Sequence, residues 1–496
     1  MSRSIVSIAA GNLASKALGV LREVLFAAWF GTGEVAAAFR ICQTAFLLPT
    51  HALIGDSLGP GLLPLYRGMR AEGRGGDGVL LLIASTYAVV FSLVCGAVLY
   101  SLSHLIVIWI APGSAGDIAR MAAAMLRTLS IALPFYVLGY LLGYVEAAHG
   151  RFGAIAWRPL AFNFGSILGA AIAVATGVDS WVAIGLVIGH VLFFAWTVVQ
   201  IRRLGQVFPE SMPSWNALLV VSGRFFRNVA PLLPLPLLSQ ANVIVERIVS
   251  SRLGEGVIPS VDYARFVAET AIQLIAVPIG IKTMSLSGGD DSKEAGAHVR
   301  MAAALVMMMA IPVGAFVFQN ASEIVEVLFA RGKFDQAAVQ TTSAMLRWFG
   351  GSLGAAVVGY YFVRALNAQL RNKSALCLIG IAVGVNVLIN VFAWSQFGAQ
   401  VIGLGSAAYA AVLMVGGLTL LRLWQCTARL LAWLMLGCVG TVLMCSFVPA
   451  MNPLARLSVN ALVFGAFWIA FVFAVPEMRR VVEPVLSRIR LPGRSS

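Results

Sequence analysis

Asn12, Ser15, Lys16, Gly19, Arg22 and Glu23 recur at spacings of three and four within an otherwise apolar stretch that runs from Gly11 to Gly33. On a helix that period places them along one face. Three other stretches repeat the arrangement: Arg40, Gln43, Thr44 and His51; Ser239, Asn242, Glu246 and Ser250, with Arg247 beside them; and Asp262, Arg265, Glu269 and Gln273. A charge near the centre of a bilayer is costly, so such stripes must face protein or a wet cavity. Arginine among them favours an anionic ligand, because its planar fork grips phosphate through paired hydrogen bonds. The bland alternative is that the charges pair with each other, Arg22 with Glu246 for example, and only clamp the helices. Taken as a set, the four stripes point to one shared hydrophilic chamber.

The elements that carry these stripes follow from composition. Of 496 residues, 59% are hydrophobic and 11% charged, with a net charge of +14. Soluble domains are about half apolar and about a quarter charged, so an all-α polytopic membrane protein is expected. The long unbroken apolar runs exclude a β-barrel. Spanning segments are expected near 5–30, 36–65, 79–110, 120–148, 154–176, 181–201, 226–250, 259–283, 299–329, 337–365, 374–395, 400–423, 428–449 and 456–475, about fourteen helices. Basic residues gather on alternate connections, at Arg67, Arg70 and Arg74, at Arg202, Arg203, Arg224 and Arg227, and at Arg371 and Lys373. The tail adds Arg479, Arg480, Arg488, Arg490 and Arg494. The positive-inside bias then puts both termini in the cytoplasm. No basic block carries interleaved aromatics, so nucleic acid is not an expected partner.

The chain also repeats itself. "LREVLFAAWFGTGEVAAAFRI" and "VERIVSSRLGEGVIPSVDYARF" share a charge pair, an apolar stretch, a Gly-x-Gly turn and a later arginine. Arg22-Glu23 corresponds to Glu246-Arg247, Gly31-Thr32-Gly33 to Gly254-Glu255-Gly256, and Arg40 to Arg265, an offset of roughly 223–225 residues. Two parallel six-helix lobes plus two C-terminal helices are therefore expected. Their bounds are 1–205 for the N-lobe, 206–425 for the C-lobe, and 426–496 for the extra helices and a basic cytoplasmic tail.

Other patterns speak for packing more than chemistry. Gly139/Gly143, Gly165/Gly169, Gly185/Gly189 and Gly350/Gly354 allow close helix approach. Pro231, Pro234 and Pro236 must break or bend the segment they crowd. His104, His190 and His298 stand alone and read as satisfied polar groups. The six cysteines form no metal spacing and are expected as buried free thiols. No metal or cofactor is called for, and there is no Walker A pattern, HExxH or nucleophile elbow, so an enzyme is not expected. Lys16 and Arg22 interrupt the first apolar stretch and no small-residue cleavage site follows it, so no cleavable leader is expected.

"SKALGVLREVLFAAWFGTG", followed by "AAAF" and Pro49, resembles the start of the MurJ/MviN family of lipid II flippases, in the multidrug/oligosaccharidyl-lipid/polysaccharide exporter superfamily. "AAHGRFGAIAWRPLAFNFGSILG", "NVIVERIVSSRLGEG", "LFARGKFDQAAVQTTSAML" and "RALNAQLRNKSA" extend the resemblance along the chain in order. It implies a flippase of the bacterial inner membrane that moves an undecaprenyl-pyrophosphate-linked saccharide by alternating access. It implies that Arg22 is the first-helix cavity arginine and that Arg265 lies where the family has another. With Arg40, these would hold the pyrophosphate, while Lys16, Glu23, Glu246, Arg247, Asp262 and Glu269 would balance charge or gate. Departures are Ala37 where the family carries an acid, Arg40 as an unusual neighbour, Arg265 directly after Tyr263-Ala264, and the missing arginine cluster in "PTHALIGDSLGPG". These keep an exopolysaccharide, capsule or O-antigen repeat unit open beside lipid II. A cation-coupled drug antiporter and a scaffold for cell-wall or polysaccharide synthases are further alternatives. A coupling ion, H+ or Na+, stays open as a partner.

Overall fold

In lipid every backbone N–H and C=O must be paired within the chain, so long apolar runs have to become helices. The computed structural model describes residues 3–51, 59–73, 75–232, 234–286, 292–369 and 371–489. Among them there are twenty α-helices, one short 3-10 turn and no strand. Contacts divide the chain into two compact units: Met1–Pro259 with Arg331–Phe334, and Ser260–Ala330 with Asp335–Ser496.

The first unit contains α1 (Arg3–Phe30), α2 (Glu34–Thr50), α3 (Gly59–Ala71), α4 (Gly76–Ser101), α5 (Ser103–Ile110), α6 (Gly116–Ser130), α7 (Leu133–Ala148), α8 (Gly153–Thr176), α9 (Ser180–Arg202), α10 (Trp215–Val229) and α11 (Pro234–Arg252). α12 (Val257–Leu286) begins there and continues in the second unit. The second unit holds α13 (Ser292–Gln319), α14 (Ala321–Phe329), α15 (Gln336–Ala368), α16 (Asn372–Phe397), α17 (Gln400–Leu420), α18 (Trp424–Ser446), α19 (Pro453–Ala474) and α20 (Pro476–Ile489).

Nine described helices are long and apolar enough to cross a membrane, and a tenth span is counted if α6 and α7, bent by 50°, act as one. These ten match ten of the expected segments. The other four expected segments correspond to α1, α2 with α3, α11 and α12. Several continuous sequence segments are broken in the structure. Segment 79–110 splits at Leu102 into α4 and α5, and segment 299–329 splits at Asn320 into α13 and α14. The triple-proline region resolves into a fixed break: α10 ends at Val229, a 3-10 turn covers Ala230–Leu232, and α11 starts at Pro234. α10 itself is amphipathic. It buries Val221, Phe225 and Val229, while Trp215, Leu219 and Phe226 remain exposed beside Arg224 and Arg227.

Glycine contacts explain the tightest packing. An added Cβ on Gly165 would lie 2.3 Å from the Gly185 carbonyl oxygen, and one on Gly169 would lie 2.4 Å from that of Trp181. α8 and α9 therefore touch backbone to backbone, and no larger residue fits there. Gly350 and Gly354 serve α15 in the same way against α13. At the end of α1, Gly31 adopts φ +59°, and Gly332 adopts φ +61° with its Cα facing the Ala28 carbonyl. Lys333 N donates to Ala28 O at 2.8 Å, so the Arg331–Phe334 segment is strapped onto α1 within the first unit. This accounts locally for the "ARGKF" pattern.

The cysteines need a correction. All six are free, but only Cys42 and Cys445 are buried; Cys377 and Cys426 are exposed on their helices. An apolar sequence context does not separate a core-facing thiol from one facing outward when lipid is the solvent.

Candidate functional site

The first unit gathers the charges of α1 and α2 into one network. Glu23 is 2% exposed and takes both helices' guanidinium groups. Arg22 Nη2 donates to Glu23 Oε1 at 2.5 Å, and Arg40 binds both carboxylate oxygens through Nη1 and Nη2. Two guanidinium groups thus share one carboxylate, leaving one positive charge in excess within the triad. Burial would make such a cluster unfavourable without further partners, and these are present. Arg22 Nη1 donates to Asn163 Oδ1 at 2.9 Å, and Asn163 Nδ2 donates to Ser15 O at 3.3 Å. The Arg22 guanidinium lies 5.1 Å from the Phe162 ring centre, and that of Arg40 lies 5.6 Å from Phe26 and 5.9 Å from Phe39. Stacking on ring faces spreads the positive charge over polarisable surface.

Helix geometry makes this possible. Arg22 and Glu23 are adjacent, so their side chains diverge by about 100° around α1. Glu23 turns inward toward α2, while Arg22 turns toward α8 and is 16% exposed. Arg22 is therefore the more accessible of the two arginines; the Arg40 side chain is 8% exposed.

α11 adds a second part in the same unit. Arg247 Nε donates to Thr44 Oγ1 at 2.9 Å, and Thr44 Oγ1 donates to Arg40 O at 2.9 Å. Glu246 accepts from Asn242 Nδ2 at 3.1 Å, one turn earlier on α11. Both Glu246 and Arg247 are buried. The carboxylate that Arg22 engages is its neighbour Glu23, not the Glu246 suggested as a clamp partner. Lys16 lies half-buried on α1.

In the second unit, Asp262 and Arg265 are half-buried and Glu269 is exposed on α12. The Arg265 guanidinium lies 5.7 Å from the Phe349 ring centre on α15. Tyr263, fully buried beside it, packs on Phe329 at 5.2 Å. Gln273 and His298 fall where side chains lie outside the described residues.

Two residues escaped the sequence reasoning. Asn163 completes Arg22's coordination. Arg158, also on α8, is half-buried, with its guanidinium 4.3 Å from the Tyr140 ring centre. The signal for both was a polar residue inside the apolar run "AIAWRPLAFNFGS", which lacks the periodic partners that marked the other helices. Glu146 is a third buried acid, and its role is structural. Its carboxylate accepts from Gly153 N at 3.2 Å and Ala154 N at 2.6 Å, capping the start of α8.

The fold and the buried guanidinium network define a multi-pass helical membrane protein of transporter type. The model of the lipid II flippase MurJ family matches residues 26–473, and the chain belongs to that family. It is similar to the probable lipid II flippase MurJ of Rhizobium meliloti (strain 1021), with 26% identity over 415 residues, 78% of this chain and 74% of the relative. It is also similar to the lipid II flippase MurJ of Burkholderia cenocepacia, with 24% identity over 405 residues, 78% of this chain and 76% of the relative. A solved structure of lipid II flippase MurJ in an inward closed conformation shares the fold with a TM-score of 0.82 at 19% identity, covering 94% of this chain and 98% of that one. An inward-facing multidrug resistance MATE family transporter of the MOP superfamily gives 0.60 at 14% identity, covering 82% and 94%.

Proposed function

We propose that this protein is a lipid II flippase, moving an undecaprenyl-pyrophosphate-linked saccharide across the bacterial inner membrane by alternating access. Family membership over residues 26–473 is the observation that carries this reading. It favours lipid II over an exopolysaccharide, capsule or O-antigen repeat unit. An excess of guanidinium over carboxylate in the α1–α2 network favours an anionic cargo over a cationic drug.

In this reading Arg22, Arg40 and Arg265 bind the pyrophosphate, and Lys16, Glu23, Glu246, Arg247, Asp262 and Glu269 balance charge around them. Arg22 is the entry point, since it is the more accessible arginine of its triad. A pyrophosphate oxygen arriving at Arg22 competes with Glu23, whose carboxylate then rests on Arg40 alone. That exchange of partners gives loaded and empty states different internal pairing, which is the differential interaction a carrier needs. No bond in the cargo is made or broken. Direction comes from coupling to an ion gradient, H+ or Na+, or to the membrane potential. Both termini face the cytoplasm, where the basic connections gather. Handing cargo to cell-wall synthases on the far side is the natural partner relationship.

The test is depletion of the protein in its own host, followed by mass spectrometry of lipid-linked intermediates. Accumulated lipid II in lysing cells is the expected result. Accumulation of a different undecaprenyl-linked oligosaccharide in dividing cells would move the assignment to an exported polysaccharide.

A further inference from the structure

The first unit holds a cavity of about 220 Å³ between α2, α7, α8 and α9. Its walls are mainly aromatic, with Tyr136, Tyr140, Phe162 and Phe193 around Arg158 and His190. This volume is below the roughly 300–1,000 Å³ of drug-sized sites, so it suits a single ring-sized group. No carboxylate lines it among the described residues. Arg158 makes no ion pair among the described residues, and its guanidinium lies over the Tyr140 ring. A guanidinium stacked on one ring face still offers N–H donors to an oxygen-rich group that enters the cavity.

Phe162 connects this cavity to the Arg22 network. Its ring lines the cavity, and the Arg22 guanidinium lies 5.1 Å from its centre. His190 is fixed by its Nδ1 contact with Leu186 O at 2.6 Å and stands edge-on to Phe46 and Phe162, making a rigid wall. Tyrosine and phenylalanine faces present apolar surface to the C–H face of a sugar, while tyrosine hydroxyls donate to its oxygens.

We infer that this cavity is a sugar subsite: it receives the pyranose ring next to the pyrophosphate of the cargo, with Tyr140 and Tyr136 against the ring and the Arg158 guanidinium donating to that sugar's hydroxyl or amide oxygens. The inference rests on the flippase reading and deepens it, since it assigns saccharide recognition to residues separate from the pyrophosphate arginines.

The test uses the purified full-length protein in detergent and three probes: a short-chain polyprenyl-pyrophosphoryl disaccharide, farnesyl pyrophosphate and inorganic pyrophosphate. Binding is measured for wild type, Arg158→Gln, Tyr140→Ala, Leu47→Phe and Arg22→Ala, with a thermal melt for each. Losing one charge-assisted contact predicts about tenfold weaker binding of the disaccharide probe to Arg158→Gln. Farnesyl pyrophosphate and inorganic pyrophosphate should bind that variant as they bind wild type. Leu47→Phe removes no contact and adds bulk to the cavity wall, and it should weaken the disaccharide probe alone, independently of any folding defect in the other two variants. Equal weakening of all three probes by Arg158→Gln would make the cavity a plain phosphate site and overturn the proposal. Unchanged disaccharide binding in all three cavity variants, with Arg22→Ala still defective, would overturn it while leaving the flippase reading intact. If Arg22→Ala also binds every probe like wild type, the flippase reading loses its site as well.

Discussion

Both units hold an ion pair among helices, yet the two pairs are built differently. In the second unit Glu323 of α14 meets Arg456 of α19 at 2.8 Å, one acid to one base. Around it are neutral amides and hydroxyls: Asn460 Nδ2 donates to Asn320 Oδ1 at 2.5 Å, and Trp468 Nε1 donates to Thr441 Oγ1 at 2.8 Å. The charge there cancels locally, and the cluster fastens α19 to α14 and α18. In the first unit two guanidinium groups share Glu23, and both also lie against aromatic rings. A balanced pair has no electrostatic reason to open. An unbalanced one is stabilised whenever an anion arrives. The stoichiometry of an ion pair among helices, more than its presence, separates a clamp from a binding site.

The largest effect that separates them is expected at Glu23. Glu23→Ala removes the buried carboxylate that Arg22 and Arg40 share, and breaking a buried pair in this way costs about 3–5 kcal/mol. The thermal melt in detergent should fall sharply, and expression with it. If Glu23→Ala melts like wild type, the triad is not the structural centre its burial implies. Arg22→Ala comes next. It leaves the Glu23–Arg40 pair in place and removes the accessible arginine, so transport should fall at least about tenfold, the loss of one charge-assisted contact, at near-normal stability. Complementation of a flippase-depleted strain, with protein level checked by immunoblot, measures both. Arg22→Lys keeps the charge but not the fork and should recover only part of the activity.

The glycine contacts add a smaller effect of packing alone. Gly165→Leu would push into the Gly185 carbonyl and Gly189 backbone, where an added Cβ already finds 2.3 Å. Overpacking of this kind costs about 1–3 kcal/mol. Transport per correctly inserted molecule should be unchanged, which distinguishes it from Arg22→Ala.

How far the sequence carries such distinctions depends on periodicity. The α1 and α2 stripes were legible because Arg22, Glu23 and Arg40 recur with other polar residues at helical spacing, and the α8–α9 contact because four glycines fall on facing ridges. Arg158 and Asn163 were not legible, because each stands alone in an apolar run, and only tertiary packing sets Tyr140 or Arg22 against it. The partner of Arg22 was misjudged for the same reason: Glu246 shares its spacing pattern, but Glu23 is its covalent neighbour and lies within reach. α10 was missed because its amphipathic period spans only Trp215–Val229, too short for a span, and its last turn merged with the apolar run that follows. The break at Leu102 carries neither proline nor glycine, so nothing local announces it.

The smallest expected effect tests the clamp. Arg456 is 31% exposed and Glu323 12%, so the pair is only partly withdrawn from its surroundings. A double-mutant cycle with Glu323→Gln and Arg456→Met should therefore give a coupling of about 1 kcal/mol or less. Each single variant should lower the thermal melt slightly, and the double variant should lose little more than either, because the neutral contacts between Asn320 and Asn460 persist. Transport by all three should stay near wild type. A cycle in which Arg456→Met abolishes transport at normal stability would place a working charge in the second unit's C-terminal helices. Charge balance would then no longer distinguish the two clusters, and the α19 arginine would join Arg22 among the groups that carry the cargo.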